Sequence, residues 1–202
     1  MNVIQDDKPN AENDPVAAGT ADNELIEAYG RGDEYAFELL YNRYRRQLYG
    51  FLNNLITDHS EADEVFEETW LRVIERLSAY RDEGRFSAWL FRIAHNIFID
   101  RVRRKQNLVE LDNEEAEKIA VSGGSDPGNL LHSADLAEVI REALRSLPGD
   151  QKEVFILRQH DLSFKEIAEI QGCSINTALS RMQYALKNLR RYLQDVDHGD
   201  LL

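Results

Sequence analysis

Apolar residues recur at spacings of three and four along most of the chain, and alternation with period two is missing, so the pattern predicts an all-α fold. A short helix is expected over Asp22 to Gly30, with a break at Arg31 and Gly32. Phe37, Leu40, Tyr41, Tyr44, Leu48, Phe51, Leu52 and Leu55 then mark one face of a long amphipathic helix. Ser60 with Asp63 begins the next, whose apolar face is Val65, Phe66, Trp70, Val73, Ile74 and Leu77. A polar loop over Tyr80 to Arg85 leads into a fourth helix, about Phe86 to Gln106, burying Trp89, Leu90, Ile93, Ala94 and Ile97. Helical periodicity resumes at Ala134, turns at Pro148-Gly149, and continues through Gln151 to His160.

The last stretch is the most organised. Ser163 with Glu166 forms a capping box, in which hydroxyl and carboxylate each satisfy an orphan backbone N–H. Ile167, Ala168 and Ile170 follow, then Gly172 supplies the positive φ of a tight turn, and Ser174 caps a second helix. Ile175, Leu179, Met182, Leu186, Leu189 and Leu193 form its apolar face. Asn176, Thr177, Ser180, Arg181, Tyr184, Lys187, Asn188 and Arg191 form the other, with no acid between Ile175 and Gln194. Two helices, a short Gly turn and a basic, hydroxyl-rich second helix are the sequence picture of a DNA-reading helix-turn-helix. An ordinary helical hairpin with a solvated face has the same pattern.

Composition sharpens this. The 202 residues carry a net charge of -13, so any nucleic-acid contact must use local basic patches rather than a global positive field. Cys173 is the single cysteine, which excludes an internal disulfide and a C-x-x-C site. Neither a membrane-length apolar run nor a hydrophobic signal core is present, so a cytoplasmic location is expected. Residues 1–21, rich in Asn, Asp, Ala and Pro, read as a disordered tail, and 107–133, acidic and then Gly-containing, as a linker. They leave a domain over 22–106, a second over 134–194, and an acidic tail over 195–202.

Within the first domain, Arg85, Arg92, Arg101, Arg103, Arg104 and Lys105 face one acid, Asp100, with Tyr80, Phe86, Trp89, Phe91 and Phe98 interleaved. Basic groups track phosphates and exposed rings stack on unpaired bases, which suggests a single-strand surface. Trp89 and Ile93 share a face and read as core, whereas Tyr80 and Phe86 suit either role.

The segments EADEVFEETWLRVIERL, AWLFRIAHN followed by ID and RRK, LRSLPGDQKEVFILR and LSFKEIAEIQGCS resemble, in order, the bacterial sigma-70 family. The resemblance is to its extracytoplasmic-function (ECF) group, which keeps only the second and fourth sigma domains. It implies a promoter-recognition subunit of core RNA polymerase, contacting β′ and β, with no catalytic residue, cofactor or metal. The β′ contact would fall on Asp63, Glu64, Glu67, Glu68, Trp70 and Arg72. Single-stranded minus-ten DNA would meet Tyr80, Arg85, Phe86, Asn96, Asp100, Arg103 and Arg104. Duplex minus-thirty-five DNA would meet Ser174, Asn176, Thr177, Ser180, Arg181, Tyr184 and Lys187, with Arg181 the strongest candidate for a bidentate contact. Relatives are commonly held by an anti-sigma protein, so such a partner is implied. Leu179 stands where many relatives have Lys, Ala178 where Val is usual, and Asn176 where Gly is common, which bears on promoter choice.

Two other classes compete. A free-standing helix-turn-helix regulator would bind duplex without polymerase, and the basic, aromatic first domain counts against it. A hydrolase using Asp63, Glu64, Glu67 and Glu68 to hold Mg²⁺ has suitable oxygens but no accompanying phosphate loop.

Overall fold

A computed structural model describes residues 19–81, 84–112 and 134–199. These hold eight helices and no strand: α1 (Asp22–Gly30), α2 (Glu34–Leu55), α3 (His59–Leu77), α4 (Phe86–Asp112), α5 (Ala134–Arg145), α6 (Gly149–Gln159), α7 (Phe164–Ile170) and α8 (Ile175–Gly199). The expected all-α class is what forms. The chain divides into two compact units within α4, between Ala94 and His95.

The first unit is set by its caps and its aromatic core. Gly32 at φ 97° turns the chain between α1 and α2, and the Asp33 carboxylate accepts from Tyr35 N at 3.1 Å to start α2. Asp22 ties the two helices together, accepting from Arg43 and from the Tyr44 hydroxyl. At the start of α3 the cap is Asp58, accepting from Ser60 N at 2.9 Å, rather than the expected Ser60. Asp58 precedes the first helical residue, where a carboxylate can reach those amides; Ser60 already lies inside the helix. Leu40, Leu48, Phe51, Leu52, Val65, Val73, Phe86, Leu90 and Phe91 are buried, with the Phe51 and Phe91 rings crossing edge to face at 5.1 Å.

α4 outruns the reading from sequence, continuing past Gln106 to Asp112. Leu108, Val109, Glu110 and Leu111 contain nothing that breaks a helix, and acidic composition alone does not end one. The rest of the expected linker, 113–133, lies outside the described residues, as do 1–18 of the expected tail. α8 likewise runs on to Gly199, through part of the expected acidic tail.

In the second unit α5, α6 and α7 all pack against α8, burying Ala143, Leu147, Val154, Leu157, Leu162, Ile167, Ala168 and Ile170. The capping box forms as expected: Glu166 N donates to Ser163 Oγ at 3.3 Å, and Ser163 N donates to Glu166 Oε2 at 2.8 Å. Ser163→Ala is expected to cost this unit about 1 kcal/mol in urea unfolding.

Burial lowers the pKa of His160 below its usual 6.5, against an opposing pull from Asp161. The unfolded chain therefore takes up the proton first. The stability contribution is complete above about pH 6.5 and is lost progressively as pH falls toward the lower folded value. Urea midpoints compared at about pH 7.5 and 5.5 should fall at the acidic value, and His160→Gln should reduce that fall.

Candidate nucleic-acid and polymerase interface

α3 carries the first candidate surface. Asp63, Glu64 and Glu67 are exposed, and Glu68 is half-buried in an ion pair with Arg72 at 2.6 Å. Trp70 is not on this surface. Its side chain is 5% exposed, boxed by Phe37 (6.0 Å), Tyr41 (4.8 Å) and Phe66 (6.4 Å). The residues standing among the acids are Leu71, 61% exposed, and Ile74, 41% exposed. Ile74 had been expected on the buried face. It lies three residues from exposed Leu71 and three from buried Leu77, at the border of the two faces, and packing leaves it largely outside. Among the described residues no three His, Cys, Asp or Glu side chains converge to hold a metal ion.

The second surface follows α4, a continuous helix. Asn96, Asp100, Arg103 and Arg104 are exposed, and Arg92 and Asn107 share their side by helical spacing. Near the start of α4, Arg85 is exposed, while Phe86 is 1% exposed and belongs to the core. The half-buried ring here is Trp89, stacked on Tyr80 at 4.4 Å and 35°, with Phe86 beneath at 5.7 Å. Sequence periodicity placed Trp89 in the core. Packing makes Phe86 the core residue, against Tyr44 at 5.2 Å, and leaves Trp89 half-buried. Arg92 and Trp89 thus join the candidate stripe, and Phe86 supports it from below.

The helix-turn-helix is built as its sequence indicates. α7 ends at Ile170; Gly172 has φ 60°, and Cys173 N donates to Ala168 O at 2.9 Å, closing the turn. Ser174 Oγ accepts from Thr177 N at 3.1 Å and lies 2.8 Å from Thr177 Oγ1, capping α8. The face of α8 that packs inward is not the line of its largest apolar residues. Ala178 and Ala185 are fully buried, with Met182 and Leu189 half-buried beside them, whereas Ile175, Leu179, Leu186 and Leu193 are 47%, 37%, 47% and 42% exposed. Small residues let α8 approach its neighbours closely, and the bulky ones flank the contact.

That arrangement has two results. Leu186, Leu189 and Leu193 line an open groove of about 730 Å³ with Val139, Phe155 and Val196. On the outward side of the first turns stand Ser174, Asn176, Thr177, Ser180 and Tyr184, with Lys187 one turn on, all exposed. Gln183 lies in the middle of them, at i+7 from Asn176 and i+3 from Ser180, and was missed by sequence reading. Arg181 sits apart. Its Nε is 2.8 Å from Asp150 Oδ2, its Nη1 donates to Gln171 Oε1 at 3.0 Å, and the side chain is 26% exposed. Gln171 in turn donates to the buried Glu153 Oε2 at 2.8 Å and to Asp150 O at 3.0 Å. Arg181 therefore fastens α8 to α6 and to the turn.

Exposed acids and a leucine on α3, a basic stripe along α4 and a helix-turn-helix define the class as an all-helical DNA-binding protein. Residues 40–108 match Sigma-70 region 2, and 137–189 match Sigma-70, region 4. The chain is 30% identical over 183 residues to the ECF RNA polymerase sigma-E factor of Escherichia coli (strain K12), spanning 87% of this chain and 95% of that one. It is 28% identical over 189 residues to the ECF RNA polymerase sigma-E factor of Haemophilus influenzae, spanning 90% and 100%. Among solved structures it resembles the sigma factor RpoE, in complex with the anti-sigma factor NepR, from Bartonella quintana. That likeness has a TM-score of 0.62 and 25% identity over 78% of this chain and 96% of the other. CnrH, solved with the cytosolic domain of CnrY, shares the fold at TM-score 0.62, 23% identity, and coverage of 87% and 99%. The chain belongs to the ECF group of the sigma-70 family.

Proposed function

We propose that the chain binds bacterial core RNA polymerase, directs it to a specific set of promoters, and opens them without catalysis of its own, as part of a stress or envelope response. The observation that best supports this is the pairing, in order along one chain, of a region 2 unit and a region 4 helix-turn-helix. Residues 22–106 and 134–194 form the two functional domains.

In this reading Asp63, Glu64, Glu67 and Glu68 dock on a basic helical surface of β′, with Leu71 and Ile74 as the apolar centre of the contact. Exposed apolar side chains ringed by charges are suited to such a role, because the ring excludes water from the anchor. Trp70 holds the face from beneath and Arg72 orders Glu68. The groove along Leu186, Leu189 and Leu193 accepts an apolar segment of β.

Tyr80, Arg85, Trp89, Asn96, Asp100, Arg103 and Arg104 receive the single-stranded minus-ten segment. Ser174, Asn176, Thr177, Ser180, Gln183, Tyr184 and Lys187 face the minus-thirty-five duplex. Partnership with polymerase has an energetic basis. Opening about ten base pairs costs on the order of 10–15 kcal/mol at roughly 1.4 kcal/mol per step. Stacking returns only about 1–3 kcal/mol per captured base. An anti-sigma protein that covers these surfaces is a further partner; the similar RpoE structure was solved in complex with an anti-sigma factor.

The test is assembly and opening together. The chain and core polymerase should co-elute from a sizing column, and promoter thymines should become permanganate-reactive only when both are present. Tight duplex binding by the chain alone, with no gain on adding core, would favour a free-standing regulator.

A further inference from the structure

The first two turns of α8 contain one basic side chain, Arg181, and it is turned inward onto Asp150 and Gln171. A guanine-reading arginine is therefore lacking where a recognition helix enters the major groove. What stands outward instead is an amide and hydroxyl set, Asn176, Ser180 and Gln183, bordered by two exposed apolar side chains, Ile175 at 47% and Leu179 at 37%. These two lie four residues apart, so they adjoin on one edge of the helix. That edge is distinct from the buried Ala178 and Ala185.

The flanking polar groups, and the lack of any acid from Ile175 to Gln194, suit a nucleic-acid surface. The apolar group a duplex displays in its major groove is the C5-methyl of thymine. We propose that Leu179, with Ile175 beside it, forms an edge that reads thymine methyl groups in the upstream promoter duplex. This rests on the sigma-factor reading above. Leucine here also makes no phosphate contact, so this helix binds with a shallower salt dependence than a lysine at the same position would give.

The experiment uses holoenzyme assembled from core polymerase and the full chain, and a promoter fragment that it selects from a library. Each thymine of the upstream contact region is replaced singly by deoxyuridine, which removes the methyl group alone. At one or more positions the affinity should fall about fourfold, the value of withdrawing one methylene-sized group from apolar contact. Holoenzyme carrying Leu179→Ala should bind thymine and deoxyuridine fragments equally at that position. Leu179→Lys should also lose the preference, and its log–log salt slope should steepen by about 0.9. Equal affinity of the natural holoenzyme for both bases at every position would overturn the proposal, and so would an unchanged preference in Leu179→Ala. Failure to select any fragment would overturn the sigma reading and this proposal with it.

Discussion

Leu71→Asp is expected to leave the helical content and unfolding midpoint nearly unchanged, and to weaken binding to core polymerase by about 2 kcal/mol or more, roughly thirtyfold. Leu71 is 61% exposed, so its removal takes no packing from the helices, and an exposed substitution in a helix costs at most about 0.7 kcal/mol. What it removes is the apolar centre of the α3 face, and it places a fourth carboxylate between Glu67, Glu68 and Glu75. Neighbouring Trp70 should behave oppositely. Its 5% exposure and its contacts with Phe37, Tyr41 and Phe66 make Trp70→Ala a core deletion, expected to cost about 3–5 kcal/mol of stability. Sizing-column assembly with core, alongside urea unfolding, separates the two. Loss of stability in Leu71→Asp, or normal stability in Trp70→Ala, would mean that the roles are reversed.

Gln183→Ala carries the second large effect. Gln183 is exposed at the middle of the outward side of α8, between Ser180 and Lys187, where its amide can bond the N6 and N7 edge of adenine. Its loss should lower discrimination at one upstream base pair by about 1–3 kcal/mol while leaving the neighbouring pairs unaffected. Asn176→Ala should do the same at a different pair, about two turns nearer the start of α8. Transcription from a series of fragments bearing single base-pair changes reads both effects. A uniform loss across all pairs would instead mark these residues as backbone contacts.

How far the sequence carried this picture varied by element. The caps and turn of the helix-turn-helix were legible, because Ser163, Glu166, Gly172 and Ser174 act through backbone groups a few positions away, whereas at α3 the cap is Asp58 and not Ser60. Helix ends without such markers were not: α4 continues to Asp112 into the stretch that composition assigned to a flexible linker, and α8 continues to Gly199 through part of the acidic tail. The family followed from motifs in fixed order. Individual site residues depended on which way side chains pack, and that is a tertiary property. Phe86 and Trp89 are both aromatic and three residues apart; Phe86 packs onto Tyr44 and is buried, whereas Trp89 packs onto Tyr80 and stays half-buried. Arg181 is by residue type the strongest candidate for a bidentate contact, but Asp150 and Gln171, 31 and 10 residues away, hold it. On α8 the large residues suggested the packed face, but close helix approach selected Ala178 and Ala185.

The most direct measurement is run-off transcription by purified bacterial core polymerase on a library of promoter fragments, with and without this chain. Defined transcripts that require both components, from fragments sharing two elements at fixed spacing, are the predicted result. No chain-dependent transcript from any fragment, by a protein that nonetheless binds duplex DNA on its own, would contradict the account.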